Sequence, residues 1–183
     1  MDLFSLPALA IYAFFLGVTM KIADLLDEHG LKWFPGDKLL FGFLWGFFGV
    51  LLVLSRIDIA NILLARILAY IPRKRLDYFN HVLAAVMIFI AFAWKFPFNQ
   101  LIFLSFFFTF LVFGFLRDYY GNHRGKKDFL YAVNEPGLYY LVATLIYGIV
   151  VRDYAAFLVF TVMQLSYNAV KYGFYYAGWS REI

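Results

Sequence analysis

Phe96-Pro-Phe-Asn-Gln-Leu-Ile-Phe-Leu-Ser-Phe-Phe-Phe-Thr-Phe-Leu-Val-Phe-Gly-Phe-Leu116 passes without one charged side chain. At 1.5 Å per residue, a helix of this length reaches across a hydrocarbon core of about 30 Å, which takes roughly 20 apolar residues. A water-facing helix would show a polar stripe and a half-buried strand would alternate; this run does neither. Working outward, six more apolar runs appear at 3–20, 39–55, 57–71, 78–94, 136–151 and 154–170. The sequence therefore predicts an all-α, polytopic integral membrane bundle of about seven transmembrane helices, with residues 1–183 as a single transmembrane domain. Pro136 suits the first turn of its helix, where a missing N–H costs nothing.

Composition points the same way. Of the 183 residues 64% are apolar and 15% charged, too few polar groups to cover a water-soluble surface. The 24 Phe and 14 Tyr suit lipid-facing and interfacial positions. With no cysteine, disulfides, iron–sulfur clusters and thiolate zinc sites are excluded. Met1-Asp2 opens without a basic stretch, which predicts a retained first helix rather than a cleaved signal peptide.

Orientation follows from where the basic residues fall. With the N-terminus outside, the cytosolic loops hold Lys21, Lys32, Lys38, Arg73, Lys74, Arg75, Arg117, Arg124, Lys126, Lys127 and Arg181. The outer turns hold Arg56, Lys95 and Arg152, while Arg66 and Lys171 lie within spans nearer the inner end. This predicts an N-out, C-in, multi-pass protein in the cell membrane with its charged loops in the cytosol. A parallel 3+1+3 repeat is also legible. Asp24 and His29 recur as Asp118 and His123, and Pro35-Gly36 recurs as Pro136-Gly137. The halves would be 1–75 and 96–183, joined by a connector helix at 78–94.

Two hydrophilic loops carry the candidate chemistry. If the first helix continues past Lys21, then Asp24, Asp27 and Glu28 fall at i, i+3 and i+4 on one face. Clustered carboxylates suit Mg²⁺, a hard ion that shares oxygen ligands with phosphate; the plainer reading is a solvated helix end capped by Gly30. The second loop combines Asp118 and Asn122 with Arg124, Lys126 and Lys127, cations suited to phosphate oxygens. Basic loops also fix topology and attract anionic lipids with no active site, which is the simpler account of Arg73, Lys74 and Arg75.

The two loops resemble the Asp-rich motifs of membrane-embedded UbiA-type prenyltransferases. Ala23-Asp24-Leu25-Leu26-Asp27 is similar to the start of the first motif, and Asp118-Tyr119-Tyr120-Gly121-Asn122, followed by Gly125-Lys126-Lys127, to the second. Ala23, Leu31 and Asn122 depart from the pattern, where the family has Asn, Asp and Asp, and the chain is about two helices short of the usual bundle. The resemblance implies Mg²⁺-assisted ionisation of a polyprenyl diphosphate. Asp24, Asp27 and Asp118 would be the catalytic, metal-holding carboxylates, and Lys126 and Lys127 diphosphate contacts, on a lipid substrate.

Within the spans, Arg66 is costly at depth and so a candidate substrate-binding residue, though it lies within snorkelling reach of the inner end. Gln164 and Asn168, one turn apart, suit interhelical hydrogen bonds or a cavity lining. Asp58 and Asn61 are placed to pair with Arg56 or Arg152. His29, His81 and His123 lack metal-ligand spacing. Two other functions fit the same pattern. One is a small-solute transporter or channel, similar in topology to SWEET-type and PnuC-type proteins, with Gln164, Asn168 or Arg66 lining its cavity. The other is a non-catalytic membrane subunit. Short loops against a bilayer are a poor platform for nucleic acid, which is not expected as a partner.

Overall fold

A computed structural model describes residues 3–95, 98–121, 134 and 137–179. The described chain is helical, with no strand among the described residues. Its helices are α1 (Leu6–Glu28), α2 (Asp37–Ser55), α3 (Ile57–Tyr70), α4 (Phe79–Lys95), α5 (Gln100–Tyr119), α6 (Leu138–Val151) and α7 (Ala155–Tyr176).

Each expected run contains a helix, but several ends move, for local reasons. α1 continues past Met20 to Glu28 because Ala23, Leu25 and Leu26 keep burying its inner face while Lys21, Asp24 and Asp27 find partners of opposite charge. It closes at Gly30, whose φ of +69° lets the Leu31 N–H return to the Leu25 carbonyl at 3.3 Å. α2 begins at Asp37, whose carboxylate accepts the N–H groups of Trp33 and Lys38 at 2.8 and 2.7 Å. α5 starts four residues later than the apolar run. There Asn99 caps it by accepting the Ile102 N–H at 3.1 Å. Pro136 lies outside the described residues, and Gly137, with φ +74°, is the residue that leads into α6.

Contacts at the helix ends show that successive helices alternate in direction. At one end the C-terminus of α1 meets the starts of α2 and α4, through Asp27–Lys38 and Asp24–His81. The end of α5 meets the α3–α4 connector there, through Asp118 with Arg73 and Arg75. At the other end Arg56 clamps Asp58 at 3.0 Å and also bonds Asp153, tying the α2–α3 corner to the α6–α7 corner. The Ala155 N–H, ahead of the Arg56 guanidinium, holds the Asp153 carboxyl below the usual carboxylate range. Asn61 accepts the Asn99 N–H at 2.9 Å, and Lys95 donates to the Leu54 carbonyl. Asp58 thus pairs with Arg56 as the sequence suggests, whereas Asn61 joins α3 to the start of α5.

Close approach of α1 to α7 and of α2 to α4 depends on glycines. A Cβ on Gly17 would lie 2.2 Å from the Met163 carbonyl oxygen, and Gly42, Gly46 and Gly49 present one face of α2 to Asn80, Met87 and Ile88 of α4. The interior is filled by Leu9, Leu16, Leu52, Ile59, Ile62, Phe110, Phe160 and Met163. The exterior is equally apolar: Ile90, Leu101, Phe108, Ile146, Val150 and Leu165 face outward. Three helices, α1, α2 and α5, are long and apolar enough to cross a membrane.

Candidate functional site

The site is assembled at the end of the bundle where α1 and α5 finish and α4 begins. Asp24, on the extension of α1, is buried against α4 and α7. Its Oδ1 lies 3.0 Å from His81 Nε2, its Oδ2 accepts the Tyr167 hydroxyl at 2.8 Å, and the Lys21 ammonium stands 4.0 Å away. His81 is clamped on its other side by the Arg75 carbonyl, 3.1 Å from Nδ1, with the Asp77 carboxylate at 3.8 Å and the Trp45 and Tyr78 rings edge-on. Both ring nitrogens thus face acceptors, Nδ1 a carbonyl and Nε2 a carboxylate, and the ring is fixed in place between them. Beside it, the wholly buried Asn80 donates to the Ala23 carbonyl at 2.8 Å, while its Oδ1 has no partner among the described residues.

Asp118, on the last turn of α5, takes two arginines. Arg73 Nε reaches Oδ2 at 3.0 Å and Arg75 Nη2 reaches Oδ1 at 2.6 Å. Arg73 is buried across Gly114, where a Cβ would come within 2.3 Å of its guanidinium, and it also faces the Tyr70 ring. Burial works against the Arg73 charge, but the Asp118 carboxylate, with help from Tyr70 and Tyr139, outweighs it and holds the guanidinium above its ordinary pKa. Asp24, His81, the Arg75 backbone, the Arg75 side chain and Asp118 thus form one polar chain that joins the two acidic loops through the α3–α4 connector.

The two loops therefore meet the same connector, but the three carboxylates are not gathered round a common point. Asp24 turns to His81 and Tyr167, Asp27 pairs with Lys38 at 2.6 Å, and Asp118 is held by Arg73 and Arg75. α1 and α5 do not pack on each other, and no group of three His, Asp or Glu side chains suited to a metal occurs among the described residues. Mg²⁺ would require at least two of these carboxylates to leave their partners; as arranged, the donor set does not fit the ion. Asn122, Arg124, Lys126 and Lys127 lie outside the described residues.

Arg66 does not snorkel. Its side chain turns inward, where Nε donates to the Tyr70 hydroxyl at 2.8 Å, Nη1 points to Met163 Sδ at 3.0 Å and Nη2 to Met20 Sδ at 3.2 Å. The Tyr140 and Tyr70 rings lie 5.0 and 5.7 Å from the guanidinium carbon. On α7, Gln164 lies over Gly137, joining α7 to the start of α6.

His81 and Tyr167 are absent from the sequence-derived site. His81 carried one signal: it stands in register with Ala84, Ile88 and Ala91, the buried stripe of α4, and so inside rather than in solvent. Tyr167 carried none among so many tyrosines. Compared with known proteins, the chain matches no family model, no curated protein and no solved structure.

Proposed function

We propose that the chain is a multi-pass membrane protein that binds a phosphate-bearing lipid at the end of the bundle built by α1, α5 and the α3–α4 connector. All seven helices are read as spans, with this end in the cytosol, in keeping with the basic residues that crowd it. The observation that carries the reading is a buried cation without a counter-ion. Arg66 pairs with no carboxylate among the described residues, and at the nearby end of the bundle Arg73 and Arg75 share the one carboxylate of Asp118.

Desolvating a cation is costly unless an anion compensates it, so a buried cation with no counter-ion favours an anionic ligand. A lipid phosphate at a basic, membrane-level site meets that need by direct charge-assisted hydrogen bonds, without a metal. The prenyl-diphosphate chemistry implied by the UbiA-type resemblance is a finer version of this reading. It additionally needs Asp24, Asp27 and Asp118 to leave their present partners and reorganise round Mg²⁺, a rearrangement that headgroup binding does not require.

Native mass spectrometry of the detergent-released protein tests the reading, with phosphatidic acid set against phosphatidylcholine of the same chains. Phosphatidic acid is expected to be retained preferentially. The double variant Lys74→Gln/Arg75→Gln, which leaves Arg73 to hold Asp118, is expected to weaken its retention roughly ten- to thirtyfold, at about 1 kcal/mol per cation near a lipid surface. Equal retention of both lipids by the unaltered protein sinks the proposal. Repeating the measurement with farnesyl diphosphate, with and without Mg²⁺, separates simple headgroup binding from metal-assisted binding.

A further inference from the structure

We infer that Arg66 is the seat for one phosphate group, held inside the bundle behind the methionines Met20 and Met163. The inference rests on the phosphate-binding reading above and assigns it a specific side chain. Arg66 is only 6% exposed, so water does not compensate its charge. A guanidinium has five N–H donors. Here three are directed at partners: one phenol oxygen and two thioether sulfurs. Sulfur of this kind is a weak acceptor.

The surrounding groups are also neutral. Tyr70 and Tyr140 offer ring faces, and no Asp or Glu side chain pairs with Arg66 among the described residues. Cation–π contacts stabilise a guanidinium but leave its in-plane N–H fork, the geometry that matches a phosphate edge, without an oxyanion.

The four residues round the guanidinium come from four helices: Met20 from α1, Tyr70 from α3, Tyr140 from α6 and Met163 from α7. Met20 and Met163 are the two partners most able to withdraw. Each has an unbranched side chain with three rotatable bonds, so its sulfur can leave the fork at little cost and open Nη1 and Nη2 to two phosphate oxygens. Lys21 follows Met20 directly, and its ammonium lies over the Tyr167 ring, 5.3 Å from the centroid, one helical turn beyond Met163. An anion entering from the polar end would therefore meet a second cation on the same side, one that faces the Asp24 carboxylate at 4.0 Å. A structural anchor would be built differently: Arg73, buried to a similar degree, has its Asp118.

The test compares Arg66→Met with the unaltered full-length protein in detergent, using inorganic diphosphate by calorimetry and phosphatidic acid by native mass spectrometry. Ligand-free melting temperatures are recorded for both proteins. Arg66→Met should weaken phosphate binding at least tenfold. It should leave the ligand-free melting temperature unchanged or raised, because it replaces an uncompensated buried cation with an apolar chain. Arg66→Lys, which keeps the charge but loses the fork, should fall between the two.

Binding of inorganic diphosphate as well as phosphatidic acid would show that the phosphate group alone suffices. Binding of phosphatidic acid only would show that the acyl chains are needed. Either supports the seat. If the unaltered protein binds phosphatidic acid and Arg66→Met binds it equally well, this inference is wrong and the lipid-binding reading stands. If the unaltered protein binds neither ligand, both are wrong. A fall in the ligand-free melting temperature of Arg66→Met, or its failure to fold, would assign Arg66 to the core and overturn the inference.

Discussion

At the scale of single residues, the chain places its few buried charges in two different ways. Arg73 and Asp118 satisfy each other, whereas Asp24 is satisfied by a histidine, a phenol and a more distant lysine. These two aspartates are equivalent in the apparent sequence repeat, yet one collects arginines and the other a histidine ring and a phenol. Removing His81 should expose the difference. His81→Ala leaves the Asp24 carboxylate buried with one donor fewer, and it is expected to cost about 2 kcal/mol, the usual size for a hydrogen bond to a charged group. Asp24→Asn in the same background should recover part of that loss, since the charge needing compensation is then gone. Reversible unfolding in mixed detergent would measure both variants, and additive losses would show that the two side chains act independently. The sequence made Asp24 visible through its neighbours Asp27 and Glu28. It hid His81 because the pairing spans 57 residues and two helices, and no local pattern reports on it.

At the scale of helices, apolar length was legible and helix–helix packing was not. Every expected run contains a helix because a long, mainly apolar run must satisfy its own backbone, and a helix does so within one segment. The ends shifted where polar residues found partners, across the bundle at Asp24 and Asp118 and in the adjoining backbone at Asp37. What brings α1 close to α7 and α2 close to α4 is the placement of glycine, and a glycine in an apolar run looks the same whether it faces lipid or a neighbour. Gly17 and Gly173 make the contrast testable. A Cβ on Gly17 would meet the Met163 backbone carbonyl, which cannot rotate aside, so Gly17→Ala must push α1 from α7 and should cost about 1–3 kcal/mol. A Cβ on Gly173 meets nothing within 4 Å. Gly173→Ala in the last turns of α7 should therefore be neutral or stabilise by about 0.5–1 kcal/mol, the helical preference of Ala over Gly. Melting temperatures of the two variants should move in opposite directions; a shared fall would mean that α7 is positioned by something other than its fit to α1.

At the scale of the molecule, the two ends of the bundle are chemically unequal, and the inequality makes a statement about the membrane. One end gathers Lys21, Lys32, Lys38, Arg73, Lys74, Arg75 and Arg117, whereas the other has Arg56, Lys95 and Arg152. Between them lies an outer surface of Ile, Leu, Phe and Val that water would not tolerate at this extent. If all the helices cross the bilayer with the basic end in the cytosol, residues from opposite ends must report opposite compartments. The chain has no cysteine, so single cysteines can be placed without background. Lys32→Cys and Lys74→Cys stand exposed at the basic end, and Arg152→Cys at the other. In intact cells a membrane-impermeant maleimide should label Arg152→Cys, and it should label the other two only after lysis. Labelling of Lys32→Cys but not Lys74→Cys in intact cells would break the alternation of helices between those points. Labelling of both, with Arg152→Cys protected, would invert the molecule and put the basic end outside. Equal labelling at all three positions would mean that the bundle does not separate two compartments, and the crowding of Lys and Arg at one end would then have no origin in membrane orientation.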